Sequence, residues 1–178
     1  MHFNRYNLYT FIDDFDENKI LNLSFNCNVI IRNYEKKIRY DALIKLKKLC
    51  KKNRIKLYLA NDTKLALKAN LDGVYIPSFN KSLNLDNFKN KKKNFEVLGS
   101  AHTIPEIKIK ERQGVDLIFI SPLFLTKNYK KKLGIIKFNL MSKVTSKSII
   151  ALGGIRKNNL NKLKMVNAIG FSGITFFN

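Results

Sequence analysis

The 178-residue chain has no tryptophan, two cysteines, three prolines, eight glycines and only 13 acidic residues. Each shortage excludes something. Cys27 and Cys50 stand far apart with no CxxC partner, so neither a disulfide framework nor a cysteine zinc site organises the fold, and two reduced, buried thiols are expected. So few prolines and glycines exclude a collagen-like or low-complexity chain. No apolar run approaches the roughly 20 residues that cross a bilayer. The early apolar run from Leu8 to Ile12 is short and meets Asp13, Asp14, Asp16 and Glu17, unlike a secretory signal. A soluble, cytoplasmic protein without a membrane partner is expected.

The scarcity of acids is one side of a formal charge of +21, set on the other by 34 Lys and Arg. A strongly basic surface ordinarily points to nucleic acid or an anionic membrane. Composition discounts that inference here. Lys, Asn and Ile supply 70 of the 178 residues and Ala only 7, which is what A/T-rich codons produce without selection for a polyanion. Lys45, Lys47, Lys48, Lys108, Lys110, Lys162 and Lys164 also fall inside helical patterns rather than along one stripe. A nucleic-acid-binding module is motivated by the acid-free stretch from Leu117 to Asn178, but it ranks last among the readings.

What is present is a globular composition, 45% hydrophobic with 13 Phe and 7 Tyr, long enough for one domain over residues 1–178 to bury its own core. Short β-branched or aromatic runs alternate with longer helical patterns. The strands are expected at Leu8–Ile12, Asn28–Arg32, Ile55–Ala60, Gly73–Ile76, Phe95–Gly99, Val115–Ser121, Ser148–Leu152 and Gly170–Thr175. Helices are expected at Asp41–Lys52, Thr63–Asn70, Thr103–Gln113 and Arg156–Asn167, from apolar residues three and four apart. In Asp41–Lys52 the stripe is Leu43, Ile44, Leu46, Leu49 and Cys50. Eight strands alternating with helices predict a (β/α)8 TIM barrel in a single domain, shorter than the about 250 residues usual for that fold. The chain stops just after the eighth strand, so the closing helix is expected to be truncated. A doubly wound sheet lacks the GxGxxG that would support it.

Ligands of such barrels sit where strands end, so the residues after each run form the candidate site. These are Arg32 with Lys36 and Lys37, Asn61 and Asp62, Asn80, Ser100 and His102, Thr126 and the Lys130, Lys131, Lys132 run, Gly153 and Gly154, and Ser172 to Thr175. A rim rich in cations and glycine suits an anionic ligand. The Gly153-Gly154 backbone can bind phosphate through its N–H groups, lysines can neutralise a diphosphate, and Asp62 can hold Mg²⁺. Each has a plainer alternative: Asp62 as a helix N-cap, the glycines as a tight turn, the lysine run as a solvated loop, His102 as a structural histidine.

In this order the segments resemble a known family. They are Tyr58-Leu59-Ala60-Asn61-Asp62, Leu71-Asp72-Gly73-Val74-Tyr75-Ile76, Leu98-Gly99-Ser100-Ala101-His102-Thr103, Ile120-Ser121-Pro122-Leu123-Phe124-Leu125-Thr126, Leu133-Gly134-Ile135 and Ile149-Ile150-Ala151-Leu152-Gly153-Gly154-Ile155. Together they resemble the thiamine phosphate synthases, a family that includes thiazole tautomerases. The resemblance implies a barrel transferase that joins an aminopyrimidine diphosphate to a thiazole phosphate, releasing pyrophosphate. It implies catalytic duty for Arg32, Asn61, Lys130 and His102. Ser100, Thr126, Gly153, Gly154, Ser172 and Thr175 would bind the phosphorylated substrates, and Mg²⁺ would sit at Asp62 and Asn80. The family's Gln-x-Arg-x-Lys segment keeps only its Arg here, as Arg32. Its second metal carboxylate falls at Asn80, so Mg²⁺ is expected to bind weakly. A thiazole tautomerase using His102, or a non-catalytic relative, is the alternative; a homo-oligomer is left open.

Overall fold

The computed structural model describes residues 7–13, 15, 17–23, 27–34, 38–83, 93–126 and 131–173. Its strands are β1 (Asn7–Ile12), β2 (Asn28–Ile31), β3 (Leu57–Ala60), β4 (Gly73–Ile76), β5 (Glu96–Ala101), β6 (Leu117–Ile120), β7 (Ser148–Leu152) and β8 (Gly170–Ser172). Each pairs in parallel with the next, and β8 returns to β1, closing the barrel. The helices are α1 (Glu17–Leu21), α2 (Tyr40–Lys52), α3 (Thr63–Lys68), α4 (Ile104–Arg112) and α5 (Gly134–Ser142), with a 3₁₀ helix at Lys157–Met165. The expected (β/α)8 TIM barrel is thus the observed one. No helix among the described residues is long and apolar enough to cross a membrane.

Strand geometry explains the two cores. Successive side chains point to opposite faces, so Val29, Ile31, Leu57, Leu59, Val74, Ile76, Val97 and Ile118 turn outward against the helices. On α2 the buried face is Leu43, Leu46 and Cys50, with Ile44 and Leu49 half-buried beside it, as the stripe predicts. The alternate set fills the lumen with aromatic rings: Tyr9, Phe11, Tyr58, Tyr75 and Phe119. Phe119 meets the rings of Tyr9, Phe11 and Tyr75 edge-on at 5.1, 6.4 and 5.6 Å between centroids, the arrangement aromatic quadrupoles favour. Glu96 closes the floor, accepting from Tyr58 Oη at 2.5 Å and pairing with Lys56.

Several boundaries differ from the sequence reading, for local reasons. The stretch Arg156–Asn167 forms a 3₁₀ helix over Lys157–Met165, because Asn158, Asn159 and Asn161 are poor helix formers and the Asn159 side chain is drawn to the Arg156 N–H and the Gly154 carbonyl. Strand six starts at Leu117 because the N–H of Val115 closes α4 by bonding Lys110. Strand three starts at Leu57 because the Ile55 N–H closes α2 on Cys50. Strand five runs on to Ala101 and so carries Ser100 within it. The sequence patterns missed α1, a helix of 5 residues, and α5, whose Ile135, Ile136, Phe138, Leu140 and Met141 show no 3.6-residue alternation.

Cys27 and Cys50 are free thiols, each 1% exposed. Burial pushes both upward, Cys50 to about 12 with a contribution from the Asp72 charge. Native protein at pH 8 should therefore take up no iodoacetamide, and denatured protein two equivalents by mass spectrometry; fast labelling of native protein would contradict this packing. Both thiols ionise more readily unfolded than folded. Their contribution to stability is whole below about pH 9 and is lost as pH rises toward about 12.

Candidate active site

The polar residues that follow the strands gather at one end of the barrel in three groups. After β1 and β2, Arg32 Nε pairs with Asp13 Oδ1 at 3.2 Å, and its guanidinium lies 5.1 Å above the Phe11 ring. Asn33 donates to the Asp13 carbonyl at 3.0 Å. Asp13 belongs to the acidic cluster noted in the sequence, but its partnership with Arg32, 19 residues away, left no local signal there.

After β3 and β4 stand Asn61, Asp62 and Asn80. Asn61 takes a left-handed φ of 61°, tolerable for a short amide side chain. Asp62 is the N-cap of α3, its Oδ1 accepting from the Leu65 N–H at 2.9 Å, so the plainer reading of that residue holds. Asn80 Nδ2 donates to Asn61 Oδ1 at 2.7 Å, while Asn80 Oδ1 accepts from the Ser82 N–H at 3.0 Å. A cavity of about 1050 Å³ opens here between the ends of β2 and β3 and the helices α2 and α3, with Asn61 and Asp62 on its wall. Arg39, Lys64 and Lys68 give it positive charge, and Tyr34 and Phe79 meet edge-on at 5.3 Å between centroids at its edge.

The third group follows β5 to β8. Ser100 is 4% exposed and in register with Phe119, hence on the lumen face. His102 Nδ1 lies 3.0 Å from the Ser121 carbonyl and 3.1 Å from Ser121 Oγ. The Ser121 carbonyl accepts from Nδ1 in one ring tautomer and Ser121 Oγ donates to Nδ1 in the other, so in either form Ser121 fixes the ring orientation. The backbone N–H of His102 is held by Glu106 at 2.6 Å, while Thr103 caps α4. Gly153 and Gly154 take φ of 95° and 70°. The segment Pro122–Thr126 lies across them: Leu123 N–H bonds the Leu152 carbonyl and Phe124 N–H the Gly153 carbonyl, at 2.9 and 3.0 Å. Neither glycine N–H donates to an acceptor among the described residues. Ser172 is fully buried in register with Tyr9 and Leu152, and its Oγ has no partner among the described residues.

The structure brings Asn61 and Asn80 into contact with Asp62 adjacent, and joins the segment ending at Thr126 to Gly153 and Gly154. Of the expected site residues that are described, only Asn61 and Asp62 line the cavity. Lys36, Lys37, Lys130 and Thr175 lie outside the described residues. Ser121, which orients His102, and Lys110 and Gln113, which reach the segment carrying Asn80, were not foreseen; a lysine in a lysine-rich helix offers no signal that it turns inward.

The metal expectation can be tested on the donors. Asp62 has one carboxylate oxygen committed to its cap and Asn80 its oxygen to a turn. Among the described residues no cluster of three or more His, Cys, Asp or Glu could hold a metal ion. One carboxylate falls short of a preformed metal cluster, whereas Mg²⁺ is commonly held by one or two carboxylates together with substrate phosphates.

Comparison of the sequence with known proteins points to one family. The chain is 31% identical over 151 residues to an Aquifex aeolicus protein bearing a thiamine-phosphate synthase name, covering 80% of this chain and 79% of that one. It is 29% identical over 136 residues to the thiamine-phosphate synthase of Pelagibacter ubique, covering 74% of this chain and 63% of the relative. In fold it is similar to a thiamine phosphate pyrophosphorylase from Pyrococcus furiosus, with a TM-score of 0.79 at 18% identity, covering 97% of this chain and 87% of that one. A family model described as thiamine monophosphate synthase matches residues 26–176. Spanning nearly the whole barrel, that match places the chain in the thiamine monophosphate synthase family.

Proposed function

We propose that this barrel is a transferase that joins an aminopyrimidine diphosphate to a thiazole phosphate. The C–O bond between the pyrimidine methylene and the diphosphate breaks, and its electron pair leaves with pyrophosphate. The thiazole nitrogen lone pair then forms the new C–N bond, leaving a thiazolium. The observation that carries this reading is the Gly153-Gly154 turn, with two backbone N–H groups without described acceptors, on the opposite side of the same rim from the Asn61–Asn80 contact and Arg32. One end suits a monophosphate, the other a leaving diphosphate.

In this reading Gly153 and Gly154 hold the thiazole phosphate with Thr126 nearby. Ser100 and Ser172 offer hydroxyls to the substrates from the lumen, and Arg32, Asn61 and Asn80 face the diphosphate. Lys130 and Thr175 enter on sequence position alone. Developing negative charge on the departing oxygen is where a fixed cation acts most strongly. Asp62 and Asn80 are the residues that would lie nearest a Mg²⁺ arriving with the diphosphate, where the ion would neutralise charge on the leaving group. The family's substrates are phosphorylated small molecules, and the rim chemistry supports the same class here, in a soluble setting.

Purified protein given both phosphorylated substrates and Mg²⁺ should form thiamine phosphate; none at high enzyme concentration would sink the synthase reading. A second reading, thiazole tautomerase, is favoured by one observation, the His102 ring oriented through Nδ1 by Ser121 at the strand-end rim. If thiamine phosphate does not form while a thiazole carboxylate phosphate isomerises, and His102→Ala abolishes that isomerisation, the second reading replaces the first.

A further inference from the structure

Lys110 is the one lysine among the described residues that is completely buried, at 0% exposure. It sits on α4, and its stem passes the outer face of β5 at Gly99, where a Cβ would come 2.9 Å from Lys110 Cδ. The glycine opens a slot through which the ammonium reaches the segment after β4. There Nζ donates to the carbonyls of Pro77 and Asn80 and to Gln113 Oε1, each at 2.8 Å. All three ammonium hydrogens are thereby used. Gln113, one turn on, donates both amide hydrogens, to the Asn80 carbonyl at 3.0 Å and the Ser82 carbonyl at 2.8 Å. The network is closed, with every donor matched, and Lys110 pairs with no carboxylate among the described residues.

A charge this deep is disfavoured unless hydrogen bonds hold it, and two of the three acceptors that hold it belong to the backbone on either side of Phe79. The same stretch aims the Asn80 side chain at Asn61. The two carboxamides meet in a single hydrogen bond, and the backbone segments that carry them determine whether they can keep it. A fully satisfied buried network is rigid enough to hold one of those segments in place.

We propose that Lys110, with Gln113, is a positioning residue for the diphosphate half of the site: it clamps the 77–82 segment from behind through main-chain carbonyls and so fixes Asn80 against Asn61. The inference rests on the synthase reading above. It assigns Lys110 no contact with substrate.

The test is inorganic pyrophosphate binding by isothermal titration calorimetry, with KM measured for each substrate. Lys110→Met should weaken pyrophosphate binding by about tenfold and raise KM for the aminopyrimidine diphosphate similarly. KM for the thiazole phosphate should stay within about twofold, a split that general loosening of the fold would not produce. In an Asn80→Ala background, Lys110→Met should add less than about twofold, because residues acting through one another are not additive. Should Lys110→Met fail to fold, Gln113→Leu removes the same clamp and should give the same split. Wild-type protein that binds no pyrophosphate would overturn the synthase reading and this inference with it. Wild-type binding with unchanged affinity in the variants, full additivity with Asn80→Ala, or an equal rise in both KM values would overturn the positioning role alone.

Discussion

Gly154→Ala should lower transferase turnover by about a hundredfold or more, the scale of losing a preorganised backbone donor, in a chain that still folds. Gly154 has a φ of 70°, a conformation that costs an L-residue about 1–2 kcal/mol. The larger effect is steric. A Cβ there would lie 2.5 Å from the Leu125 carbonyl oxygen and 2.7 Å from the Phe124 carbonyl carbon and oxygen. Those atoms are backbone, so the Pro122–Thr126 segment must lift as a unit, carrying Thr126 with it and breaking the Phe124–Gly153 bond. Gly114→Ala is the matched control: its φ is 71°, yet nothing lies within 4 Å of its Cβ, and it sits beyond α4, away from the rim. It should cost only about 1–2 kcal/mol of stability and leave turnover intact. Steady-state kinetics beside thermal unfolding separate the two; equal activity in both variants would remove the glycine turn from the site.

Gly73→Ala should destabilise the fold strongly. A Cβ at Gly73 would come 2.0 Å from the Glu96 carbonyl oxygen and 2.9 Å from both the Glu96 carbonyl carbon and Tyr58 Cδ1. Gly73 pairs with Tyr58 on one side and Glu96 on the other, so relief requires β4 and β5 to part or the Tyr58 ring to leave the lumen. Either disturbs the aromatic cluster and the Tyr58–Glu96 bond. Overpacking of this kind costs about 3 kcal/mol or more when the neighbour is backbone. Urea unfolding with an unchanged m-value would report it as a shifted midpoint; a loss below about 1 kcal/mol would show that the lumen is packed more loosely than these rings indicate.

How much of this was readable beforehand follows the range of the interaction. Runs such as Val29-Ile30-Ile31 and Leu57-Tyr58-Leu59 announce their strands through composition, and the order of strand and helix patterns is enough for the barrel. The strand-end positions of Arg32, Asn61, Asp62, Gly153 and Gly154 followed from that order. What stayed hidden depends on neighbours remote in sequence: Asp13 against Arg32, Ser121 against His102, and Lys110 turned inward because residue 99 is glycine. Helix α5 was missed because a segment apolar on several faces carries no period. The 3₁₀ helix departs from its helical apolar spacing because Asn159 bonds the nearby backbone at Arg156 and Gly154.

The cations behind the +21 charge are exposed on every described helix and on several described loops, and those proposed to serve function are the few at the rim. The central claim is that this one rim holds two anionic groups apart, a diphosphate by Arg32 and the Asn61–Asn80 contact and a monophosphate on the Gly153-Gly154 turn. The most direct measurement is a crystal structure of the protein soaked with pyrophosphate and the thiazole phosphate together. The account predicts pyrophosphate within hydrogen-bonding distance of Arg32 and Asn61, and the thiazole phosphate on the Gly153 and Gly154 N–H groups. Both anions on helix lysines, with the strand-end rim empty, would contradict it.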